Sequence, residues 1–471
     1  MSKFKKQPSE INYTLGMKRY MLWVLSLSLL LEGIEATILI AVIPDVAANF
    51  GVAPIKVRFA AMAYLIAMGL GIPLGAWLAE LYGQKRIYLS AVALFLFGCL
   101  LCGYAQNLSA LIVARIIQAW GASMIMPVVR IIVFSTYEDV SKIMSYITVP
   151  VILGPLLGPT FGGVVATLFT WRMIFIYALP VCVILFVLGY LVIPNKPKKS
   201  VPNFDWAGCF FCMSMALLAV IGFSLMMVMQ VWPLLLGLSI VFWLGMRWLY
   251  QHVKHHENPY VHPLFFEMRH LKYGFWSHVI FKIADGGSFL LIIFYFKLAL
   301  GFSSITTGAL IAVMAFAMLL GRYCNQSLLP HTIRIHTTVL LGYCLMLVIL
   351  PIFNTSDEIG YIVLIMAMKG FCAAIVGMNG HQTVFAPVEK KMIKHLISFN
   401  SAALQWSLCM GIMLTALGLH MAQPIPGVFV VDVLTCHWVF LCLACLALLS
   451  VLPRFCIELK KPHSHVVEQS F

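Results

Sequence analysis

The chain has 471 residues, of which 62% are hydrophobic and only 10% are charged, and its mean hydropathy is +0.96. This composition excludes a water-soluble globular protein, which needs a polar and charged surface. The net charge of +14 would suggest nucleic-acid binding in a soluble protein. Here the basic residues fall in short segments between apolar runs, where they orient a protein in a membrane. We therefore expect a lipid bilayer as the environment and no nucleic-acid partner.

Apolar runs of about 20 residues recur along almost the whole chain, and each is long enough to cross a hydrocarbon layer of about 30 Å. The first run follows a basic segment, as a signal peptide would, but it is too long and lacks a small-residue cleavage site, so we expect it to stay. The runs predict an all-α protein with fourteen spans at 20–44, 59–81, 87–105, 109–133, 143–168, 173–193, 206–229, 231–250, 274–298, 305–324, 337–353, 359–384, 396–419 and 430–452.

The distribution of Lys and Arg predicts the orientation of these spans. If the N-terminus is cytoplasmic, most of the 31 basic residues fall on the cytoplasmic side. The exceptions lie at outer ends of spans or inside spans: Lys56, Arg58, Arg172, Lys297, Arg115, Arg130, Lys282 and Lys369. This asymmetry is typical of an even number of spans with both termini in the cytoplasm. We expect a multi-pass protein of the inner or plasma membrane.

Neither the cysteines nor the histidines predict a metal site. The 13 cysteines are odd in number, and nearly all fall inside apolar runs, which favours reduced packing residues. A histidine cluster follows the eighth predicted span and comprises His252, His255, His256 and His262. These histidines could bind a metal, but the segment is short, basic and cytoplasmic, so a solvated connector is the favoured interpretation.

Four segments within the first five predicted spans carry recognisable motifs. The second span ends in Gly75-Ala-Trp-Leu-Ala-Glu80-Leu-Tyr-Gly83-Gln-Lys85-Arg86, where glycine permits a tight turn. The fourth span carries Arg115 and Gln118 within Leu-Ile-Val-Ala-Arg-Ile-Ile-Gln-Ala-Trp-Gly. An arginine this deep in a span is costly unless it meets an acid or a cavity, which favours a functional role over an anchor that reaches the surface.

The fifth span carries a string of glycines and prolines: Gly154, Pro155, Gly158, Pro159, Gly162 and Gly163. Glycines four residues apart form a smooth stripe that lets another helix approach, and prolines bend the helix. In the first span, Leu31-Glu-Gly-Ile-Glu35-Ala-Thr-Ile precedes Ala41-Val-Ile-Pro44. Together these strings resemble the major facilitator superfamily, and most closely its fourteen-span drug:proton antiporters of the EmrB/QacA type. Within that superfamily the fifth-span string is similar to the signature of antiporters.

Six charged residues lie deep in predicted spans, where charge is rare and usually functional: Glu32, Glu35, Arg115, Lys282, Asp285 and Lys369. The resemblance implies that the first and fourth helices of each half line a central cavity, and all six charges fall on those helices. We expect Glu35, with Glu32 and Asp285 as alternatives, to carry a coupling proton. Arg115, Gln118, Lys282 and Lys369 are the expected substrate or cavity residues. Lys282 and Asp285 could instead form a neutral ion pair that only locks helices.

The resemblance implies two six-helix bundles at 1–195 and 251–471, separated by a two-helix insert at 196–250. It implies a proton-coupled exporter of small organic molecules, either drugs or metabolites such as siderophores, and not an enzyme. An importer of the same fold for an anionic or zwitterionic metabolite is the alternative. No GxxxxGK[ST] run is present, so we expect no ATP site and no cofactor. The expected partners are protons, the small-molecule substrate and, as an open question, a periplasmic adaptor protein.

Overall fold

The computed structural model of the protein describes residues 15–137, 139–195, 204–229, 233–256, 259–327, 333–353, 358–385, 393–421 and 431–454. The chain is helical throughout these residues. The two ends of the chain, whose cytoplasmic location is predicted above, lie outside the described residues.

Seventeen α-helices follow one another along the described chain. They are α1 Leu15–Ala41, α2 Ile43–Phe50, α3 Pro54–Tyr82, α4 Gln84–Gly103, α5 Leu108–Thr136, α6 Val140–Leu168, α7 Met173–Ile176, α8 Ala178–Val192, α9 Trp206–Met229, α10 Pro233–His255, α11 Leu264–Glu267, α12 Arg269–Phe294, α13 Ser304–Ser327, α14 Ile333–Ile349, α15 Ile359–Phe385, α16 Ile393–Met421 and α17 Val433–Leu449. A π-helix, Tyr295–Ala299, extends α12, and a 3₁₀ turn, Leu350–Ile352, extends α14.

The described residues contain eleven helices long and apolar enough to cross a membrane, or twelve if α6 counts as one span bent by 45°. The prediction of fourteen spans is therefore not supported, and twelve spans fit better. The two predicted extra spans correspond to α9 and α10. Neither helix is among those that qualify as spans in the described residues, and α10 ends in a basic turn.

The twelve spans form two sets of six that repeat one packing pattern. In the first set α1 packs on α6, α5 packs on both α3 and α4, and α4 packs on α8. In the second set α12 packs on α16, α15 packs on both α13 and α14, and α14 packs on α17. Each spanning helix therefore has a counterpart in the other half. In particular, α1 corresponds to α12, and α5 corresponds to α15.

The halves meet mainly through two helix pairs, α3 with α16 and α6 with α13. We call the end of the bundle where α1 ends and α3 begins the Asp45 end, and the opposite end the Lys85 end. At the Asp45 end, Lys297 Nζ lies 3.0 Å from Asp45 Oδ2 and donates to the carbonyl oxygen of Ala41, also at 3.0 Å. The π-helix that carries Lys297 thereby ties the second half to the first.

Candidate functional site

A buried polar network joins α1 to α5 in the first half. Arg115 Nη1 lies 3.7 Å from Glu35 Oε2, and Nη2 donates to the backbone carbonyl oxygen of Glu35 at 3.0 Å. Gln118, one turn further along α5, donates from Nε2 to Glu35 Oε2 at 2.9 Å and accepts from Arg115 Nη1 at 2.6 Å. The structure thus brings together three of the residues that the sequence analysis selected.

Arg115 is enclosed completely by the helices around it. Its exposed fraction is 0%, and its guanidinium lies 4.0 Å from the ring centre of Tyr64 on α3 and 5.7 Å from that of Phe175 on α7. A buried guanidinium is tolerated when its charge is paired, and both Nη atoms of Arg115 have acceptors, whereas Nε has none among the described residues. Arg115 therefore holds Glu35 in place from within the bundle, and it offers no open surface to a ligand.

Glu32 lies one turn before Glu35 on the same face of α1. It is also buried, and its Oε2 atom has no hydrogen-bond partner among the described residues. Its carboxylate is attracted by the positive charge of Arg130, which lies nearer than Arg115 to the C-terminal end of α5. Two carboxylates of α1 thus face two arginines of α5, but only Glu35 is held by direct hydrogen bonds.

The second half carries its own charged cluster, built from α12 and α15. Asp285 lies between two lysines, with Oδ2 at 3.3 Å from Lys282 Nζ and Oδ1 at 3.5 Å from Lys369 Nζ. Tyr343 on α14 donates its hydroxyl to Asp285 Oδ1 at 3.3 Å. The ion pair considered for Lys282 and Asp285 is present, and Lys369 approaches the same carboxylate, so Asp285 is shared between two lysines.

The two clusters occupy corresponding positions but differ in accessibility. Glu35 and Arg115 on α1 and α5 correspond to Asp285 and Lys369 on α12 and α15. The first pair is closed, whereas the side chains of Asp285 and Lys282 keep 15% and 25% of their surface exposed. The second cluster is therefore the more exposed of the two.

The glycine and proline string of α6 packs directly against α1. A Cβ atom at Gly154 would lie 2.8 Å from the carbonyl oxygen of Leu30, and one at Gly158 would lie 2.6 Å from that of Ile34. Gly162 makes the same close approach to Ile38, and Pro155, Pro159 and Gly163 continue the string along the bent helix. Any side chain at these glycines would push α6 away from the helix that carries Glu35.

The loop signature forms a tight turn between α3 and α4. Gly83 ends α3 with φ of 96°, a conformation that favours glycine, and α4 begins at the next residue. Gly75 packs on the backbone of Met124 in α5, and the ammonium of Lys85 lies 4.6 Å from the ring centre of Tyr190 on α8. Glu80 and Arg86 are exposed on either side of the turn.

Sequence reasoning missed several polar contacts that join distant parts of the chain. Asp45 was not predicted to pair with Lys297, and the roles of Tyr64 and Tyr343 carried no sequence signal. Asp205 was not selected from the sequence, yet it lies 2.9 Å from His252. Burial alone would raise the pKa of Asp205, but hydrogen bonds from two backbone amides and from His252 outweigh it and hold that pKa below its usual range.

Comparison with solved structures gives the same fold over nearly the whole chain. The peptide transporter PepTSo of the POT family has a TM-score of 0.69 at 12% identity, with 94% of this chain and 99% of that one covered. An inward-facing bacterial homologue of the human lysosomal transporter Spinster has a TM-score of 0.64 at 12% identity, covering 95% and 98%. The human organic anion transporter MFSD10 has a TM-score of 0.61 at 14% identity, covering 93% and 99%.

Among characterised sequences the chain is similar to the putative multidrug resistance protein MdtD of Yersinia pestis and of Yersinia pseudotuberculosis. Each is 33% identical over 192 residues, which are 40% of this chain and 41% of the relative. The match thus spans less than half the length of these relatives. The sequence model of the major facilitator superfamily matches residues 25–412. With twelve spans in two repeated sets of six and a transporter fold throughout, the chain belongs to the major facilitator superfamily of membrane transporters.

Proposed function

We propose that this transporter is a proton-coupled antiporter that exports small organic molecules bearing anionic or zwitterionic groups. In this proposal it lies in the inner or plasma membrane with both termini in the cytoplasm, which puts the Asp45 end outside. The bundles at 1–195 and 251–471 rock about the charged clusters, and 196–250 connects them.

The observation that carries the proposal is the Glu35 network. Burial favours the neutral, proton-bound form of a carboxylate, whereas a nearby cation favours the charged form. Both effects act on Glu35, because it is only 1% exposed and also contacts Arg115 and Gln118. A small movement of α1 relative to α5 would change which influence dominates. Glu35 can thereby take up a proton in one state of the bundle and release it in the other.

The string of glycines and prolines on α6 supports antiport rather than uptake. Glycines at 154, 158 and 162 bring the backbones of α1 and α6 into contact beside the Glu35 network, and we call this contact the α1–α6 seam. A closed seam leaves no path for water and ions around the carboxylate, which coupled transport needs in either direction. The EmrB/QacA-type resemblance of the same string is what favours antiport over uptake, although its span count does not carry over.

The cluster of the second half supports the choice of substrate. Lys282 and Lys369 share one carboxylate, Asp285, so the cluster carries an excess positive charge, and Lys282 and Asp285 keep some accessible surface. A cation in a low-dielectric cavity attracts carboxylates and repels cationic drugs. An importer of an anionic or zwitterionic metabolite would use the same cluster, and it remains the second candidate function because only the resemblance of the α6 string distinguishes the two.

Transport assays with membrane vesicles of known orientation test the proposal. Everted vesicles should accumulate labelled organic acids when their lumen is made acidic, because protons that leave the lumen drive substrate in, and they should acidify less when substrate is present. The same vesicles should not accumulate substrate when the acid side is the outer medium. Accumulation only with the acid side outside would establish proton-coupled uptake, and so the importer, instead.

A further inference from the structure

A group of metal-binding side chains lies outside the charged clusters, at the Lys85 end. Asp205 precedes α9, His252 lies in the last turn of α10, and His256 directly follows that helix. Asp205 Oδ1 is 2.9 Å from His252 Nε2 and 3.9 Å from His256 Nε2. One ligand atom from each of the three residues lies within 4.8 Å of the others.

These distances suit a tetrahedral ion. Zinc bonds of about 2.0–2.2 Å to nitrogen and oxygen put neighbouring ligand atoms about 3.3 Å apart. This separation lies between the distances of Asp205 Oδ1 from His252 Nε2 and from His256 Nε2, 2.9 and 3.9 Å. The two histidines are four residues apart, so they project from the same side of α10. Two imidazoles with one carboxylate form a donor set that zinc and similar transition-metal ions prefer over magnesium or calcium.

The ligands are held in place by their surroundings. The ring of Trp248 stacks on that of His252 at 4.9 Å, with 11° between the planes. Asp205 is 3% exposed and accepts backbone N–H donors from Gly208 at 2.8 Å and from Tyr260 at 2.9 Å. Such outer contacts orient metal ligands before the ion arrives and strengthen its binding.

An open cavity of about 470 Å³ lies against the cluster and provides a route from solvent. Its lining includes His252, His256 and, one position before the latter, His255. The cavity has room for a water molecule as the fourth ligand. The site would therefore be open at one coordination position and would exchange its ion with the surrounding solution.

We propose that Asp205, His252 and His256 bind one divalent transition-metal ion of the zinc class, which fastens α9 to α10. The interpretation of the histidine segment as a solvated connector did not take Asp205 into account, since 47 residues separate it from His252. The proposal does not depend on the direction of transport or on proton coupling.

The position of the site gives the bound ion a structural consequence. The residues on both sides of Asp205, Phe204 and Trp206, pack on Trp77 of α3 at 5.4 and 5.7 Å. Tyr260, which donates to Asp205, packs on Phe399 of α16 at 5.9 Å. The segment around the ion thus touches the first half through α3 and the second half through α16, and a bound ion braces it against both.

Metal titration of the purified full-length protein tests the site. The protein is prepared with a removable tag that contains no histidine, stripped with a chelator and titrated with Zn²⁺ in a calorimeter. We expect one tight site per chain, weakened at least about tenfold by His256→Gln, because loss of a direct ligand should exceed the effect of losing an outer contact. His255→Gln is the matched control, since His255 lines the same cavity but lies outside the cluster.

Thermal unfolding provides a second measurement on the same samples. Zn²⁺ should raise the melting temperature of the wild-type protein and of His255→Gln, but not that of His256→Gln. The proposal of a metal site is wrong if the wild-type protein has no tight Zn²⁺ site, or if His256→Gln binds Zn²⁺ as tightly as the wild type. It is also wrong if His255→Gln weakens binding equally, which would indicate only loose chelation by surface histidines.

Discussion

Thr37 of α1 donates its hydroxyl to the backbone carbonyl oxygen of Pro155 in α6 at 2.7 Å. That carbonyl would normally accept the N–H of the residue four positions later. Here that residue is Pro159, which has no N–H. Thr37 thus satisfies a backbone group that the proline leaves without a donor inside the membrane, and it links the bent helix to the helix of Glu35.

We expect Thr37→Val to destabilise the protein by about 1 kcal/mol, because hydrogen bonds between membrane helices average about 0.6 kcal/mol and reach about 1.7. Thr37→Ser keeps the hydroxyl and should stay close to wild type. Thr167→Val is a matched control, since Thr167 donates to Gly163 within α6 and no proline removes the usual donor of that carbonyl. Unfolding in detergent measures all three. Equal effects of Thr37→Val and Thr167→Val would show that the link between α1 and α6 contributes nothing specific.

Gly158→Ala should open the seam between α1 and α6. A Cβ atom at Gly158 would lie 2.6 Å from the carbonyl oxygen of Ile34, so the helices must separate. Overpacking of this kind costs about 1–3 kcal/mol, and we expect faster passive proton leakage in proteoliposomes. Gly360→Ala serves as the control, because a Cβ atom there meets nothing within 4 Å. Leakage that rises equally in both variants, or in neither, would contradict a sealing role.

Lys369→Ala should weaken the binding of organic anions about tenfold or more, because it removes the positive charge that makes the cluster attract an anion in a low-dielectric cavity. Asp285 keeps Lys282 and Tyr343 as partners in this variant, so no buried charge is left alone. Competition binding with anionic, zwitterionic and cationic ligands measures the effect, and Lys85→Ala controls for net charge. The proposed substrate class is wrong if lipophilic cations bind tightly and Lys369→Ala does not change their binding. The transporter would then be an exporter of cationic drugs.

Lys297→Ala should loosen the Asp45 end of the bundle. Asp45 is 41% exposed, so solvent screening limits the ion pair to about 0.2–1 kcal/mol. That range changes the ratio of open to closed states by a factor of up to about five. Labelling of a cysteine introduced near Asp45 measures the change, and the exchanged pair Lys297→Asp with Asp45→Lys should partly restore protection. Unchanged labelling in Lys297→Ala would mean that other contacts keep this end closed.

The sequence predicted the charged positions better than it predicted the number of spans. Arg115 and Glu35 were selected because charge inside a span is costly without a partner, and the structure places them 3.7 Å apart. The helices α9 and α10 are apolar enough in sequence to resemble two spans. Because they come as a pair, the distribution of Lys and Arg is the same for twelve spans as for fourteen, so it could not correct the count.

The partners of the second half were also beyond sequence reasoning. Tyr343 and Lys369 contact Asp285 from two different helices, and each is more than 55 residues from Asp285 in the chain. A local sequence pattern does not predict such contacts. The close contacts of α6 were predictable as a stripe of small residues, but its partner helix was not. The pairing of Asp205 with His252 was missed for the same reason, because the two residues are 47 positions apart in the chain.

The central claim is that Glu35 carries the coupling proton, and proton-driven transport by Glu35→Gln in proteoliposomes tests it most directly. Glutamine resembles the protonated carboxyl and keeps a group that can bond to Arg115 and Gln118, so the fold should persist. We predict that this variant exchanges labelled for unlabelled substrate across the membrane, yet builds no substrate gradient when a proton gradient is imposed. A Glu35→Gln transporter that concentrates substrate at the wild-type rate would contradict the account.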